Sequence, residues 1–416
     1  MKDSRIHMVA DHAIRPQAED VIFGLAARAA QAVEAHGKDA VINATIGTLL
    51  EDDGSLVAFK TVYNTLKELG NSEIASYADL PGEPAFLEAA VKAAFGSYKP
   101  EGIVRAVATP GGTGAIRHSI ANFTNPGDTV ITANWYWQPY QTICDESGRK
   151  LDNYNLFTPE GQFDYNSFEE CFLKHLNKQK RILAIFNTPA HNPTGFTMSD
   201  AEWEKVLKLI RTCAEDGENR IVILCDIAYI DFAGENARSF MPQFSGLPEN
   251  CLALFAYSAS KSYTMYGLRN GAIICVTPSE EIASEFFYSC AFSNRGIWSN
   301  GTRGAMAVIA KIYGNEDLYN EVESERNHYR ALLKVRGDAF MNAAKEAGIP
   351  LTNYCGGFFV SVPYSNPREL CDKLIEDNVY TVPLQKGIRL AICATNEEKS
   401  AKMPFAIKKA LEELKK

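Results

Sequence analysis

The feature that most constrains the fold is a series of short, uninterrupted apolar runs in the middle of the chain. Each run is bounded by polar or turn-forming residues, and they occupy 129–132, 182–186, 221–225, 252–257 and 272–276. A strand that is apolar throughout is buried on both faces, as in a mostly parallel sheet covered by helices. Most intervening stretches, such as 199–215, are long enough for a helical crossover. The pattern therefore predicts an α/β fold.

The last hundred residues have a different pattern, which predicts a smaller α+β domain. The periodicity favours one long helix or two at 316–347 and helices at 367–377 and 398–415, with strands at 357–362 and 388–392. Sequence patterns of the large sheet begin only after Tyr77, so we expect the N-terminal segment to belong to the smaller domain. The predicted division is 1–50 (an N-terminal arm and part of the small domain), 51–310 (the large domain) and 311–416 (the small C-terminal domain).

Composition excludes several classes of function. The net charge of −9, without a cluster of Lys and Arg, argues against nucleic-acid binding. The seven histidines form no H-E-x-x-H pattern and no cluster with cysteine, so we expect no metal. No apolar run reaches the length of a membrane span, and the N-terminus leads into no signal-like segment. The ten cysteines form no C-x-x-C pair and favour reduced thiols in a cytoplasmic protein.

The strongest single pattern is S-A-S-K, from Ser258 to Lys261, with Arg269 eight residues beyond. The lysine follows the apolar run 252–257 and can point into a cleft, where desolvation lowers its pKa and makes it a nucleophile. A nearby serine and arginine suit a phosphate dianion. Taken alone, the pattern also fits a solvated lysine after a strand.

Polar residues that follow two other strands suit an aromatic nitrogen heterocycle. Asp226 ends the run 221–225, where a carboxylate faces the ligand crevice of an α/β sheet and can keep a pyridine nitrogen protonated. Tyr229 could reach a ring oxygen, and Asn192, in the turn after 182–186, could donate to the same oxygen. The alternatives are a helix N-cap for Asp226 and a simple turn around Asn192.

A glycine-rich turn at 111–114 follows a short strand at 106–109 and opens a helix. Glycines let backbone N–H groups approach an anion, and a helix N-terminus favours negative charge there. Arg117 stands where a dinucleotide fingerprint has its third glycine, and G-x-x-x-x-G-K is absent. The turn therefore predicts a phosphate site but neither a nicotinamide dehydrogenase nor a nucleotide P-loop.

Together, these motifs resemble the class I aminotransferases of the fold-type I superfamily of pyridoxal-5′-phosphate (PLP) enzymes, in the aspartate and aromatic branch. The resemblance runs from about Gly47 to Arg389. It implies a large, mostly parallel seven-stranded α/β/α domain plus a smaller α+β domain. It also implies pyridoxal 5′-phosphate as cofactor and a homodimer with shared active sites.

The resemblance assigns a role to each cofactor-binding position. Lys261 corresponds to the lysine that forms the Schiff base and moves the proton between Cα and C4′. Asp226 corresponds to the partner of the ring nitrogen, and Asn192 and Tyr229 to the pair that bonds the ring oxygen. The remaining positions contact the phosphate or stack on the ring: Gly112, Thr113, Ser258, Arg269, Tyr77 from the neighbouring subunit, and Trp135 as the stacking aromatic. Gln138 replaces a histidine of the family and is expected to donate to Asp226.

On the substrate side, Arg389 corresponds to the arginine that binds the α-carboxylate. Gly47 corresponds to a glycine that closes over the same group, and Asn192 also lies at the substrate. Arg295 precedes Trp298 in a segment that resembles a segment of the family. In the family, an arginine of that segment binds the side-chain carboxylate of a substrate across the dimer. The alternative is that Arg295 is an ordinary surface arginine.

These assignments predict a transaminase for a dicarboxylic or aromatic L-amino acid and a 2-oxo acid such as 2-oxoglutarate. Another PLP reaction, such as a β-lyase or β-decarboxylase, remains open because it uses the same ring machinery. Only about forty residues precede Gly47, without a helix-turn-helix, which argues against a PLP-binding regulator of transcription.

Overall fold

The computed structural model describes residues 6, 8–15 and 21–415. Parts of the predicted N-terminal arm (1–5, 7 and 16–20), and residue 416 of the predicted small domain, lie outside the described residues. The helices are α1 Val21–His36, α2 Lys60–Lys67, α3 Asn71–Ala75, α4 Pro84–Phe95, α5 Gly111–Phe123, α6 Pro139–Glu146, α7 Tyr165–Gln179, α8 Asp200–Ala214, α9 Ala259–Ser262, α10 Glu280–Ile297, α11 Arg303–Gly314, α12 Glu316–Ala347, α13 Pro367–Glu376 and α14 Glu397–Glu413. The strands are β1 Ile42–Asn43, β2 Ile103–Pro110, β3 Thr129–Ala133, β4 Lys150–Tyr154, β5 Arg181–Asn187, β6 Arg220–Asp226, β7 Cys251–Ser258, β8 Asn270–Thr277, β9 Phe359–Pro363, β10 Val379–Tyr380, β11 Val382–Leu384 and β12 Gly387–Ala391.

A seven-stranded sheet organises the larger part of the chain. Its strand order is β2-β8-β7-β6-β5-β3-β4. Strand β8 runs antiparallel to both of its neighbours, β2 and β7, while the other neighbouring pairs are parallel. The predicted α/β fold with a mostly parallel seven-stranded sheet is confirmed.

Both faces of this sheet are covered, as the apolar runs require. In β6, Ile221 and Ile223 pack into one hydrophobic cluster, whereas Val222 and Leu224 pack into another on the opposite face. Successive side chains of a strand point to opposite faces, so a strand between two helical layers has to be apolar at every position. The two clusters form the two halves of an α/β/α sandwich.

A smaller group of elements follows the sheet. Strands β11, β12 and β9 form an antiparallel sheet, and β1 pairs in parallel with β10. A separate hydrophobic cluster lies here and includes Ile42 of β1, Phe340 of α12 and Ile407 of α14. The segment before residue 50 thus contacts C-terminal elements, while the domain boundaries at residues 50 and 310 stay a prediction.

Most elements lie close to their predicted positions, and α12 covers the predicted 316–347. Strand β4 was not predicted, because it lies at the sheet edge. Its residues, Lys150–Tyr154, are mostly polar and only partly buried. No helix within the described ranges is both long and apolar enough to span a membrane. The parallel strands β5, β6 and β7 end at the same edge of the large sheet, where the polar residues of the predicted site follow them.

Candidate active site

A cavity of about 230 Å³ lies at the ends of β5, β6 and β7. The final residues of these strands line it, and Asn187 of β5 is directly opposite Asp226 of β6 in the sheet register. The cavity brings together eight of the residues predicted from the sequence: Gly112, Thr113, Asn192, Asp226, Tyr229, Ser258, Lys261 and Arg269.

Lys261 lies on the short helix α9, which begins directly after β7. The hydroxyl of Ser258 caps this helix by accepting from the backbone N–H of Ser260 at 3.3 Å. The Lys261 ammonium lies 5.3 Å from the centroid of the Tyr229 ring. Burial lowers the pKa of Lys261 to about 8, although the negative charge of Asp226 opposes that shift. A useful fraction of this amine is therefore unprotonated near neutral pH.

Asp226 is buried and receives three hydrogen bonds. Tyr140 donates its hydroxyl to Oδ2 at 2.6 Å, and Asn187 donates its amide to the same oxygen at 3.0 Å. The backbone N–H of Ala228 donates to Oδ1 at 3.3 Å. Burial raises the pKa of the Asp226 carboxyl, whereas these donors oppose the shift because they favour the charged form.

The opposite end of the cavity is built for an anion. Helix α5 begins at Gly111, where a Cβ atom would come within 2.6 Å of Nη2 of Arg269. Arg269 has a left-handed φ of 49° and donates to the hydroxyl of Ser260 at 3.4 Å. The glycine thus lets the guanidinium reach the helix N-terminus, where backbone N–H groups and positive charge converge.

Arg389 on β12 is a buried cation without an acidic partner among the described residues. Its Nη2 donates to the carbonyl of Thr45 at 2.7 Å, and its Nη1 donates to Oδ1 of Asn192 at 3.4 Å. Its Nε is buried and has no hydrogen-bond partner in the described chain. Burial lowers the pKa of this arginine, and a carboxylate ligand would compensate that desolvation.

The backbone around Gly47 approaches the same region. The ring of Phe359 lies under the Arg389 guanidinium, 4.5 Å from its centroid. A Cβ atom at Gly47 would come within 2.4 Å of this ring, so only glycine lets the chain pass there without displacement.

Tyr77 and Arg295 do not reach the cavity of their own chain. Tyr77 is 85% exposed, and Arg295 is exposed with its Nη1 donating to the hydroxyl of Ser299 at 3.0 Å. Asn294, next to Arg295, donates to the carbonyl of Leu80 at 3.0 Å, which holds the two surface segments side by side.

Two expectations near the cofactor ring are corrected. Trp137 lines the cavity, and Trp135 does not. The Trp135 ring packs against β12 instead, where a Cβ atom at Gly387 would come within 2.9 Å of it. Gln138 is exposed. Tyr140 instead donates the hydrogen bond to Asp226 that was expected from Gln138.

Sequence reasoning missed Asn187, Tyr140, Trp137 and Ser260. Asn187 directly follows the run 182–186, so the argument used for Asp226 could have found it. Ser260 lies inside the S-A-S-K pattern. Trp137 lies two residues before α6 and Tyr140 in the first turn of that helix, and their rings lie edge to face 5.6 Å apart. The sequence signal that could have identified this group was Trp137, the second tryptophan in this segment.

Comparison with known proteins gives a consistent family. The family model for aminotransferase class I and II matches residues 39–403. An aromatic-amino-acid aminotransferase from Pseudomonas aeruginosa is 28% identical over 62% of this chain, and the chain spans 64% of that relative's length. An aspartate aminotransferase from Escherichia coli is 26% identical over 79% of this chain and 82% of its own.

Solved structures agree with the sequence relatives. An aminotransferase from Anaerococcus prevotii has a TM-score of 0.95 and 39% identity, covering 97% of this chain and 99% of its own. An aromatic-amino-acid aminotransferase from Burkholderia pseudomallei, covalently bound to pyridoxal phosphate, shares the fold with a TM-score of 0.77 at 22% identity, covering 96% of this chain and 98% of its own.

The described residues fit pyridoxal phosphate. A partly neutral lysine suits its aldehyde, a buried carboxylate suits its ring nitrogen, and the glycine-lined helix N-terminus with Arg269 suits its phosphate. The buried Arg389, whose Nε has no hydrogen-bond partner among the described residues, suits a carboxylate ligand. The chain belongs to the class I and II aminotransferases, and pyridoxal 5′-phosphate is its cofactor.

Proposed function

We propose that this chain moves the amino group of a dicarboxylic or aromatic L-amino acid to a 2-oxo acid such as 2-oxoglutarate. The observation that carries the proposal is Lys261, with a pKa near 8, in one cavity with Asp226 and Asn192. Asn192 in turn accepts from Arg389, a buried cation that has no acidic partner in the described part of the chain. Relatives with the names aspartate, aromatic-amino-acid and tyrosine aminotransferase support these substrate classes.

The residues divide the chemistry among themselves. When bound, the cofactor supplies a protonated ring that withdraws electron density from the substrate Cα. Asp226 holds the proton on the ring nitrogen, while Tyr229 and Asn192 bond the ring oxygen. Lys261 holds the cofactor in the resting enzyme. With substrate bound, its Nζ would carry the proton between the substrate Cα and C4′, a transfer that its near-neutral pKa favours.

The phosphate end uses main-chain and side-chain donors. We assign Gly112, Thr113, Ser258 and Arg269 to the phosphate, with Ser260 supporting Arg269 from the side. Trp137, which lines the cavity, replaces Trp135 as the residue that we assign to stack on the ring.

Substrate recognition uses one arginine for each carboxylate. Arg389 binds the α-carboxylate, which every amino acid carries, and Gly47 lets the backbone close over it. Arg295 of a second copy binds the side-chain carboxylate of dicarboxylic substrates. Aromatic substrates lack that group and rest on apolar neighbours instead.

We infer a homodimer with shared active sites. Tyr77 and Arg295 belong to a surface that also exposes Tyr288 (72%) and Phe292 (82%) on α10. Contiguous exposed aromatic side chains are typical of a protein interface. Sedimentation of the purified protein at micromolar concentration should give the mass of two chains, and a single-chain mass would contradict the shared site.

We also infer a cytoplasmic location. All ten cysteines are free, and eight of them are buried. A chain with this many unpaired thiols suits a reducing compartment.

A half-reaction tests the proposed function. The holoenzyme is mixed with one L-amino acid at a time, without a 2-oxo acid, and its absorbance spectrum is followed through a single turnover. Glutamate, aspartate, phenylalanine or tyrosine should convert the cofactor to its amino form and release the matching 2-oxo acid. Release of carbon dioxide, or of a fragmented side chain, without that conversion would indicate a decarboxylase or lyase instead.

A further inference from the structure

The carboxylate of Asp226 is held from one side by two neutral donors that the reaction itself does not consume. We propose that Tyr140 and Asn187 are positioning residues that keep Asp226 in its carboxylate form and turn its Oδ1 toward the cofactor ring. The inference rests on the proposed function and adds to it the residues that set the state of its central carboxylate.

The hydrogen bonds around Asp226 are unevenly distributed. Oδ2 receives Tyr140 at 2.6 Å and Asn187 at 3.0 Å, whereas Oδ1 receives only the backbone N–H of Ala228 at 3.3 Å. A carboxylate can accept about four hydrogen bonds, two at each oxygen. Oδ1 therefore has capacity for one more donor, and the protonated ring nitrogen is the donor that the proposed function supplies.

Tyr140 is a donor that does not titrate in the working pH range. Its side chain is fully buried, and burial together with the charge of Asp226 raises the pKa of its hydroxyl well above the usual value. A phenolate here would place a second negative charge against Asp226. The hydroxyl consequently stays protonated and donates to the carboxylate at every pH at which the enzyme would work.

Asn187 connects Asp226 to the loop that carries Asn192. Its Oδ1 accepts from the backbone N–H of Asn192 at 3.0 Å, which can only donate, so the amide orientation is fixed. Its Nδ2 must then face the other way, and it donates to Asp226 and to the Tyr140 hydroxyl, each at 3.0 Å. Asn187 thus sets the distance between the residue at the ring nitrogen and the residue at the ring oxygen.

The titratable groups that face Asp226 come from several elements. They are Tyr140 on α6, Cys225 on β6 itself, Tyr229 after β6 and Lys261 on α9. Of these, only Lys261 has a pKa close to neutrality, and it is bonded to the cofactor in the holoenzyme. A change in the pH profile on removing the Tyr140 hydroxyl therefore reports on Asp226 and the ring.

The first test compares Tyr140→Phe with Tyr136→Phe. Tyr136 is also buried, its ring stacks 6.5 Å from that of Tyr140, and its hydroxyl does not bond Asp226. Apoprotein is titrated with PLP, and the visible absorbance of the bound cofactor is then followed against pH. Losing a hydrogen bond to a charged group should raise the dissociation constant for PLP by about 10- to 100-fold in Tyr140→Phe.

The pH midpoint of the visible absorbance should move upward in Tyr140→Phe. A protonated Asp226 leaves the ring nitrogen less charged, so the ring withdraws less electron density from the nitrogen of Lys261, which then keeps its proton to higher pH. Tyr136→Phe should match the wild type in both measurements. If Tyr140→Phe also matches the wild type in both, the inference is overturned.

Asn187→Asp is the second variant, and it decides the matter if Tyr140→Phe does not fold. It keeps the size of the side chain and the acceptor for the N–H of Asn192, but it replaces the donor by a second carboxylate facing Asp226. We expect weaker PLP binding than in Tyr140→Phe, with a native circular dichroism spectrum. Wild-type affinity in this variant would overturn the inference, whereas failure of the wild type to form a visible band with PLP would remove the proposed function itself.

Discussion

The cofactor cavity and the surface around Tyr77 and Arg295 differ in how much of their chemistry one chain completes. Around Asp226, hydrogen bonds from Tyr140, Asn187 and Ala228 are already made within the chain. On the surface, Tyr77 is 85% exposed and the guanidinium of Arg295 bonds only the neighbouring Ser299 among the described residues. The hydrogen bonds to Asp226 are thus complete within one chain, whereas Tyr77 and Arg295 do not reach the cavity of their own chain.

This difference separates reaction chemistry from substrate choice. The groups that we assign to the cofactor ring lie at strand ends of the large sheet, where packing on both faces resists small displacements. The arginine that would select a side chain lies at the end of α10, on a surface that a second copy can cover. Changes in the cavity should therefore abolish the reaction, and changes on the surface should alter its selectivity.

The largest effect is expected for Lys261→Ala. Without this amine, the cofactor has no covalent attachment and the Cα proton has no base, so transamination should fall by at least about 10⁴-fold. Borohydride should fix PLP covalently to the wild type but not to this variant. Covalent trapping in Lys261→Ala would mean that another lysine is the attachment site.

Arg389→Ala should be the next largest change. Every amino acid substrate has an α-carboxylate, and loss of its buried partner should cost about 2–5 kcal/mol in kcat/KM for all substrates. Steady-state kinetics with glutamate and phenylalanine measure this loss. A variant that loses glutamate activity and keeps phenylalanine activity would place Arg389 at the side chain rather than at the α-carboxylate.

The fold was more predictable than the details of the site. Apolar runs predict buried strands because both faces of β5, β6 and β7 are covered, whereas the partly buried edge strand β4 gives no such pattern. The positions of Lys261 and Asp226 in the cavity were predictable for a similar reason, since Asp226 ends the buried strand β6 and Lys261 lies three residues beyond the buried strand β7.

The errors arose where the chain leaves regular structure. Between β3 and α6, sequence spacing alone does not say which tryptophan turns to the cavity, and Trp135 packs on β12 instead. Gln138 is exposed, while Tyr140 reaches Asp226 from the first turn of α6. A side chain that acts across 86 positions of sequence is fixed by tertiary packing and not by local pattern.

Arg295→Ala should have a smaller and selective effect. Only dicarboxylic substrates present a second carboxylate, so kcat/KM for glutamate and aspartate should fall by about 10- to 100-fold through loss of a charge-assisted hydrogen-bonded pair. Phenylalanine and tyrosine should remain within about threefold of the wild type, because they leave no charge unpaired. Equal losses for both classes would indicate a structural role for Arg295.

Mixed dimers measure whether the surface belongs to the partner's site. A Lys261→Ala chain is mixed under conditions of subunit exchange with a chain carrying Tyr77→Phe and Arg295→Ala. Half of the dimers formed are mixed, and each has one site with Lys261 from one chain and an intact Tyr77 and Arg295 from the other. Glutamate activity should therefore recover to about one quarter of the wild type. Absence of recovery would show that each chain builds its site alone.

The smallest expected effect concerns the pH dependence of cofactor uptake by the apoprotein. It tests whether Lys261 lies in a cavity that desolvates its amine. The neutral amine of Lys261 is the reactive form, and burial lowers its pKa to about 8. Because protonation consumes that form, uptake of PLP by the apoprotein should rise with pH and level off above about 8. Stopped-flow absorbance measures the rate, and an inflection close to that of a free lysine would mean that the amine is solvated.

Two variants should move this inflection in opposite directions. The charge of Asp226 raises the pKa of Lys261, whereas the charge of Arg389 lowers it. Asp226→Asn should therefore move the inflection to lower pH, and Arg389→Gln should move it to higher pH. Since both changes remove one buried charge, a general loosening of the site would shift both profiles toward the value of a solvated lysine. Opposite shifts therefore indicate that Lys261 responds separately to the charges of Asp226 and Arg389 in an intact site.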